Sequence, residues 1–248
     1  MSGCRLFLDL PPHSGVWNMA TDEALLERAV HKGIATVRIY RWELPTVSLG
    51  YFQKNEVHES LANLPRVRRL TGGGAILHHR EITYSCTLPA EHPLADESEQ
   101  LYETIHAAII NCLAQHGAAL EMRGTTVHAE GGFHAEPFLC FGRQDSRDLV
   151  VADQKVVGSA QRRRRGAILQ HGSIVLEKSP FATDFPGISD LFSDVSWPAT
   201  ESLMRELGPS LATALYPEFE LEEDNAALTA EAERWSTDKY LHLDWKRK

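Results

Sequence analysis

Between Leu149 and Leu176 the chain carries three short apolar runs separated by turn-forming residues, and this stretch constrains the fold more than any other. Leu149-Val150-Val151 is β-branched and apolar, and Asp153-Gln154 supplies a turn. Lys155-Val156-Val157 is a second run, broken by Gly158-Ser159, and residues 167–176 form a third with Gly172 inside it. Short apolar runs closed by turn residues predict antiparallel strands. A glycine inside such a strand often marks the close approach of a ligand or of another backbone. The segment from Cys140 to Leu176 therefore reads as a small sheet that holds something against its backbone. It carries a cysteine, a lysine, a run of arginines from Arg162 to Arg165, and His171-Gly172-Ser173.

The rest of the chain mixes strands and helices without regular alternation. Residues 5–10 predict a strand that Pro11-Pro12 stops. Ser14 or Asn18 can cap a helix in which Met19, Leu25, Leu26, Ala29 and Val30 fall at helical spacing, and Gly33 ends it. Strands are expected at 36–41, 46–51, 66–70, 75–78 and 82–88, with a weak helix or turn at 57–64. A helix over 99–117 carries the stripe Leu101, Ile105, Ala108, Ile109, Cys112 and Leu113. Residues 125–137 read as a glycine-containing loop, 179–197 as irregular, 200–215 as helix and 223–243 as one or two more helices. This pattern predicts an α+β fold with a mixed, mainly antiparallel sheet flanked by helices. We expect one domain over residues 1–248, closed by the helices after residue 200.

Charge and hydropathy exclude several function classes. The 25 basic residues against 34 acidic ones leave a net charge of −9, which argues against general nucleic-acid binding. No apolar run approaches the ~20 residues that span a bilayer, and the N-terminal MSGCRLFLDLPP is too short and polar for a signal peptide. The chain is expected in the cytoplasm. Its four cysteines are widely spaced and form no CxxC pair, which points to free thiols.

Several residues can carry chemistry. Gly72-Gly73-Gly74 lets the backbone approach a ligand and turn its amides toward an anion or carbonyl, although a glycine triplet is also simply a tight turn. Lys155 can neutralise a phosphate or a developing oxyanion; by residue type it is equally an exposed hairpin lysine. Cys86 is in step with Ile82, Tyr84 and Leu88, Cys112 belongs to the helical stripe, and Cys4 is terminal. Cys140 lies outside any period and is the nucleophile candidate by elimination, with a cysteine wedged among aromatics as the plain alternative. The arginines Arg162, Arg163, Arg164 and Arg165, in a turn, can form a docking patch for an acidic partner or a solvated turn. The spacing of His128, Glu130, His134 and Glu136 fits no zinc template, nor does His78-His79-Arg80-Glu81, so no metal site is expected.

Taken in order, these pieces resemble the lipoate/biotin protein ligase superfamily, and within it the lipoate-protein ligases and octanoyltransferases. The matching blocks are Asn18-Met19-Ala20-Thr21-Asp22-Glu23-Ala24-Leu25-Leu26, Arg38-Ile39-Tyr40-Arg41-Trp42 with Pro45 to Gly50, and Arg68 to Ala75 with His78. Ile82-Thr83-Tyr84-Ser85, Lys155 to Gln161, and Gln170 to Ile174 complete the set. The resemblance implies that family's catalytic-domain fold and a bent tunnel for a medium-chain acyl group. It assigns acyl binding to Arg69, Gly72, Gly73, Gly74, His78, Gly158, Ser159, Ala160 and His171, and places Lys155 on the acyl carbonyl. In one octanoyltransferase branch the nucleophilic cysteine is followed by phenylalanine, a short loop and a strand before the lysine, an arrangement that Cys140-Phe141 and residues 148–151 match. Two positions depart: Gly74 is arginine in many octanoyltransferases, and His79 stands where aspartate is common.

The expected function is therefore an acyltransferase. Octanoyl would pass from acyl carrier protein, through a thioester on Cys140, to a lysine of lipoyl domains of 2-oxoacid dehydrogenases or of the glycine cleavage H protein. No cofactor would be required. An ATP- and Mg-dependent lipoate ligase, an amidotransferase acting between lipoyl domains, and a non-catalytic acyl-binding protein are the alternatives.

Overall fold

The computed structural model describes residues 3–124, 138–222 and 226–245. Its centre is a sheet in which β1 (Cys4–His13), β2 (Thr36–Trp42), β6 (Glu81–Leu88), β10 (Ala167–Val175), β9 (Gln154–Arg164), β8 (Leu149–Val151) and β7 (Glu121–Met122) follow one another across space. The short β11 (Phe219–Leu221) lies on the outer edge of β1. The β11–β1 and β1–β2 pairs are parallel and the other five are antiparallel. A second sheet of three strands, β4 (Arg66–Arg68), β3 (Thr46–Leu49) and β5 (Ile76–His78), carries the glycine triplet in its β4–β5 connection.

Period-two alternation divides the main sheet into an apolar and a polar face. Val37 and Ile39 of β2 join Tyr84, Cys86 and Leu88 of β6 in the main core. There they pack with α2 (Ser98–Ala114) and α4 (Thr200–Leu215), and Leu101, Ile105, Ile109 and Leu113 of α2 supply the stripe that its spacing predicts. The intervening residues, Arg38, Tyr40, Thr83 and Ser85, face the other way, toward α1 (Gly15–Lys32). Ser14 caps α1 by accepting a hydrogen bond from the Trp17 amide, and Gly33 closes it at φ 65°. A short α3 (Ile188–Leu191) interrupts the irregular 179–197 stretch. After it, α5 (Ala226–Trp235) and a π-helical turn, Ser236–Tyr240, pack on α1.

Four expectations need correction. β1 does not stop at Pro11-Pro12 but runs on to His13, because its register with β2 shifts between Asp9 and His13 and the prolines need not donate there. β9 does not break at Gly158-Ser159; it runs unbroken for 11 residues because residues 157–164 all pair with β10, and a continuous partner strand overrides local turn propensity. Arg162, Arg163 and Arg164 therefore lie in β9, and only Arg165, with Gly166, makes the turn, at φ 50° and 84°. Cys4, read as merely terminal, is fully buried. The 125–137 loop lies outside the described residues.

The polar face is held by one fully buried guanidinium. Arg38 donates through Nε (3.0 Å) and Nη2 (2.6 Å) to Asp9 Oδ2, through Nη1 to Asp22 Oδ1 (3.1 Å) and the Asn18 carbonyl (3.1 Å), and through Nη2 to Asn18 Oδ1 (2.9 Å). Its Cζ stands 3.9 Å from the Tyr40 ring centre. Burial opposes the charge on Asp9 and Asp22, yet Arg38 and the adjoining histidines outweigh it and hold both carboxyls below their usual range. Replacing Arg38 by methionine leaves two buried carboxylates without their cation, so Arg38→Met should lower the urea-unfolding free energy by about 3–5 kcal/mol. A loss below about 1 kcal/mol would show that the network is not structural.

Candidate active site

The site is built where the β4–β5 connection meets the segment that precedes β8. The Cys140 amide donates to the Ala75 carbonyl (2.6 Å), and the Ala75 amide donates to the Phe138 carbonyl (3.0 Å). This bridge sets Cys140, the first residue of a 3-10 turn (Cys140–Gly142), beside the glycine triplet. The triplet is wrapped around Arg69, whose side chain is 1% exposed. Arg69 Nη2 donates to the Gly72 and Gly74 carbonyls (2.7 Å each), Nη1 to the Ser48 carbonyl (2.8 Å) and Nε to Thr71 Oγ1 (3.1 Å). Gly73 sits at φ +92°, and a Cβ there would stand 3.1 Å from Arg69 Nη2 and 4.0 Å from Cys140 Sγ. The loop thus needs glycine both for its backbone and for its contact with the guanidinium. Burial brings the Arg69 pKa down to about 10, against the pull of Cys140.

Lys155 comes to the same point from β9. Its Nζ lies 3.8 Å from Cys140 Sγ, 3.3 Å from the Cys140 carbonyl and 2.8 Å from Asp148 Oδ1. Lys155 is 7% exposed, so it is not the solvated hairpin lysine that its residue type alone suggests. Gly158 makes room for it: a Cβ at that position would fall 2.6 Å from Lys155 Cε. Burial pushes the Asp148 carboxyl up, and Lys155 pulls it only partly back. Asp148 also accepts from the Asp145 amide (2.8 Å), which fixes its orientation. Of the four cysteines, Cys4, Cys86 and Cys112 are buried and Cys140 alone is not. Burial pushes the Cys4 and Cys112 thiols up to about 11 and Cys86 higher still, which suppresses their thiolates.

A cavity opens beside Cys140. Arg69, Gly72, Gly73, His78, Gly158, Ser159, Ala160 and His171 line it together with Met19, Tyr40 and Ile76. Gly74 lies just outside, under the Arg143 side chain. Several polar side chains among them are already engaged. His171 donates from Nδ1 to Asp22 Oδ2 (3.0 Å), since a carboxylate can only accept, and its Nε2 then accepts from Thr71 Oγ1 (2.7 Å). His171 positions the glycine loop more than it binds a ligand. The Ser159 hydroxyl is turned to the opposite face of the sheet, where it meets Tyr84 Oη (2.6 Å) and His106 Nε2 (2.7 Å).

Three of the four arginines of the run have partners within the chain, while Arg165 is exposed in the turn. Arg162 stands 5.0 Å over the Tyr51 ring, Arg163 pairs with Asp96 (3.0 Å), and Arg164 pairs with Glu23 (2.8 Å) and Glu27. At about 3.3 Å per strand residue, even Arg162 lies ~23 Å along β9 from Lys155. Among the described residues no three His, Cys, Asp or Glu side chains are grouped to hold a metal ion. Sequence reasoning passed over Asp148 as a site residue, along with Asp22, Thr71, Glu81 and His106. Asp22 and Thr71 stand in the 18–26 and 68–75 blocks and Asp148 opens the 148–151 stretch, but no role was legible for them; Asp148 is seven residues from Lys155 and meets it only through the β8–β9 hairpin.

The buried histidines make folding acid-sensitive. Burial brings His106 down to about 4 and His78 below its ordinary value. The unfolded chain protonates both near pH 6.5. Their stabilising contribution is therefore complete above that pH and is lost as pH falls toward 4, and Asp9 and Asp22 add to the loss below it. The urea-unfolding free energy should decline steadily from about pH 7 to about pH 5; a constant or rising value would contradict the neutral assignment.

Comparison with known proteins identifies the family and the fold. Residues 14–196 match the model of the lipoyl protein ligase A/B catalytic domain. Octanoyltransferase LipM of Brevibacillus brevis is 40% identical over 173 residues, 66% of this chain, and the aligned stretch spans 63% of that relative's own length. The LipM of Halalkalibacterium halodurans is 36% identical over 208 residues, 80% of this chain and 74% of the relative. Protein Ta0514 of T. acidophilum, solved with bound lipoic acid, superposes with a TM-score of 0.76 at 20% identity over 100% of both chains, so the fold is shared. With its family-wide match, its mixed sheet and its glycine loop closed on Arg69, the chain belongs to the lipoyl protein ligase A/B catalytic-domain family.

Proposed function

We propose that the protein is an octanoyltransferase that moves the acyl group from acyl carrier protein to a lysine of lipoyl domains through a thioester on Cys140. The observation that carries this reading is the Cys140–Lys155–Asp148 constellation, 3.8 Å and 2.8 Å between successive groups, at the mouth of the cavity. The similarity to LipM octanoyltransferases supports it.

In the first half-reaction Cys140 sulfur attacks the carrier thioester carbonyl. The carrier thiolate leaves and takes up the proton that Cys140 gave. In the second, the lipoyl-domain amine attacks the Cys140 thioester; the C–S bond breaks, an amide forms, and the amine proton returns to the cysteine. On this reading Lys155 Nζ offsets charge on the carbonyl oxygen in both tetrahedral intermediates. Asp148, paired with it at 2.8 Å, holds Nζ in this position. Thiolate is both a good nucleophile and a good leaving group, so one side chain serves both halves. On this reading no nucleotide takes part, residues 1–248 act as one catalytic unit, and the reaction runs in the cytoplasm, where both protein partners reside.

Intact mass after incubation with octanoyl-carrier tests the first half. Wild type should gain one octanoyl group and Cys140→Ala none. Absence of an adduct on wild type, an undiminished one on Cys140→Ala, or pyrophosphate release with free lipoate and ATP would contradict the transferase reading.

A further inference from the structure

The far wall of the cavity carries a buried acceptor that the transfer chemistry does not use. Gly158, Ser173, Thr83 and Tyr40 are successive cross-strand partners on β9, β10, β6 and β2, and all four line the cavity. The cavity therefore runs across the strands. Its near end is Gly158, under Lys155 and Cys140. Two strand spacings further, ~10 Å away, is Thr83, about the span of an extended eight-carbon acyl chain.

His78 stands over Thr83. Glu81 Oε1 accepts from both His78 Nδ1 (2.7 Å) and Thr83 Oγ1 (2.6 Å). Trp42 donates to Thr83 Oγ1 (2.8 Å) and stacks on the imidazole, centroids 3.7 Å apart and planes 8° from parallel. These contacts leave the ring one orientation and one tautomer, with the hydrogen on Nδ1. Nε2 is then a lone-pair acceptor, buried and without a partner in the protein, on a side chain that is 3% exposed. Met19 and Ile76, which also line the cavity, carry no donor.

We propose that His78 Nε2, backed by Trp42 and Glu81, is the end stop that sets acyl chain length. The inference rests on reading this cavity as the acyl site. An acceptor in such a place binds water or a ligand donor, because a buried polar atom left without one is costly. A chain that ends short of Nε2 leaves its hydrogen bond intact. A chain two carbons longer strips it with a methyl group that offers nothing in return, which weakens binding by about one to two orders of magnitude.

Isothermal titration of the full chain with straight-chain acids from hexanoate to dodecanoate tests this without any transfer step. Wild type should bind octanoate tightest and decanoate at least tenfold more weakly. His78→Asn keeps an N–H toward Glu81 and removes Nε2 with part of the wall; its optimum should move to decanoate. His78→Phe keeps a ring on Trp42, and the decanoate penalty should shrink by fivefold or more. Thermal midpoints establish that the variants are folded. A wild-type measurement needs no variant: the hydroxy acid in which oxygen replaces octanoate's terminal methyl should bind within fivefold of octanoate, because its hydroxyl bonds to the water that Nε2 holds. Equal binding of octanoate and decanoate by wild type, an unchanged optimum in folded variants, or a larger penalty for the hydroxy acid overturns the proposal. Failure of the transferase reading would show instead as a missing Cys140 adduct, which these titrations do not involve.

Discussion

The site depends on one buried chain of polar contacts that joins the helix face of the sheet to the glycine loop. Arg38 holds Asp22, Asp22 accepts from His171 Nδ1, His171 Nε2 accepts from Thr71, and Thr71 accepts from Arg69, which gathers the Gly72 and Gly74 carbonyls. Every link has a defined donor, because the guanidinia only donate and the carboxylate only accepts. Four separate sequence blocks, those of Asp22, Arg38, Arg69–Gly74 and His171, meet in this row. A buried ion network is poor evidence for net stability. Its effect here is geometric: it leaves the glycine loop one position, and that position sets Gly73 against Cys140.

Much of the architecture was legible from pattern alone. The stripes of α1 and α2 and the alternation of β6, with Cys86 in step with Tyr84 and Leu88, follow from helical and two-residue periods. The β9–β10 hairpin was less legible. Gly158-Ser159 reads locally as a break, yet it is mid-strand because β10 pairs with it continuously, and Gly158 there leaves room for the Lys155 side chain. The arginines read as a turn by charge, but alternate pairing carries three of them into the strand and onto Tyr51, Asp96 and the Glu23–Glu27 pair.

The candidate site was legible as a list of residues but not as a set of roles. Cys140 lies beside both Lys155 and the glycine loop. His171 and Ser159, expected at the ligand, spend their hydrogen bonds on Asp22, Thr71, Tyr84 and His106. Asp148 was missed because nothing in a single sequence marks which acid a folded hairpin will lay beside a lysine. Lys155 is thereby held by Asp148 on one side and presented to sulfur on the other.

This arrangement requires the thioester to be an intermediate on the path and not a side product. The direct test is to isolate the octanoylated enzyme, free of carrier and nucleotide, and mix it with a lipoyl domain while following both masses over time. The octanoyl group should leave Cys140 and appear on the domain's lysine at a rate no slower than steady-state turnover. Retention on Cys140, or transfer only when ATP is added, would contradict the account.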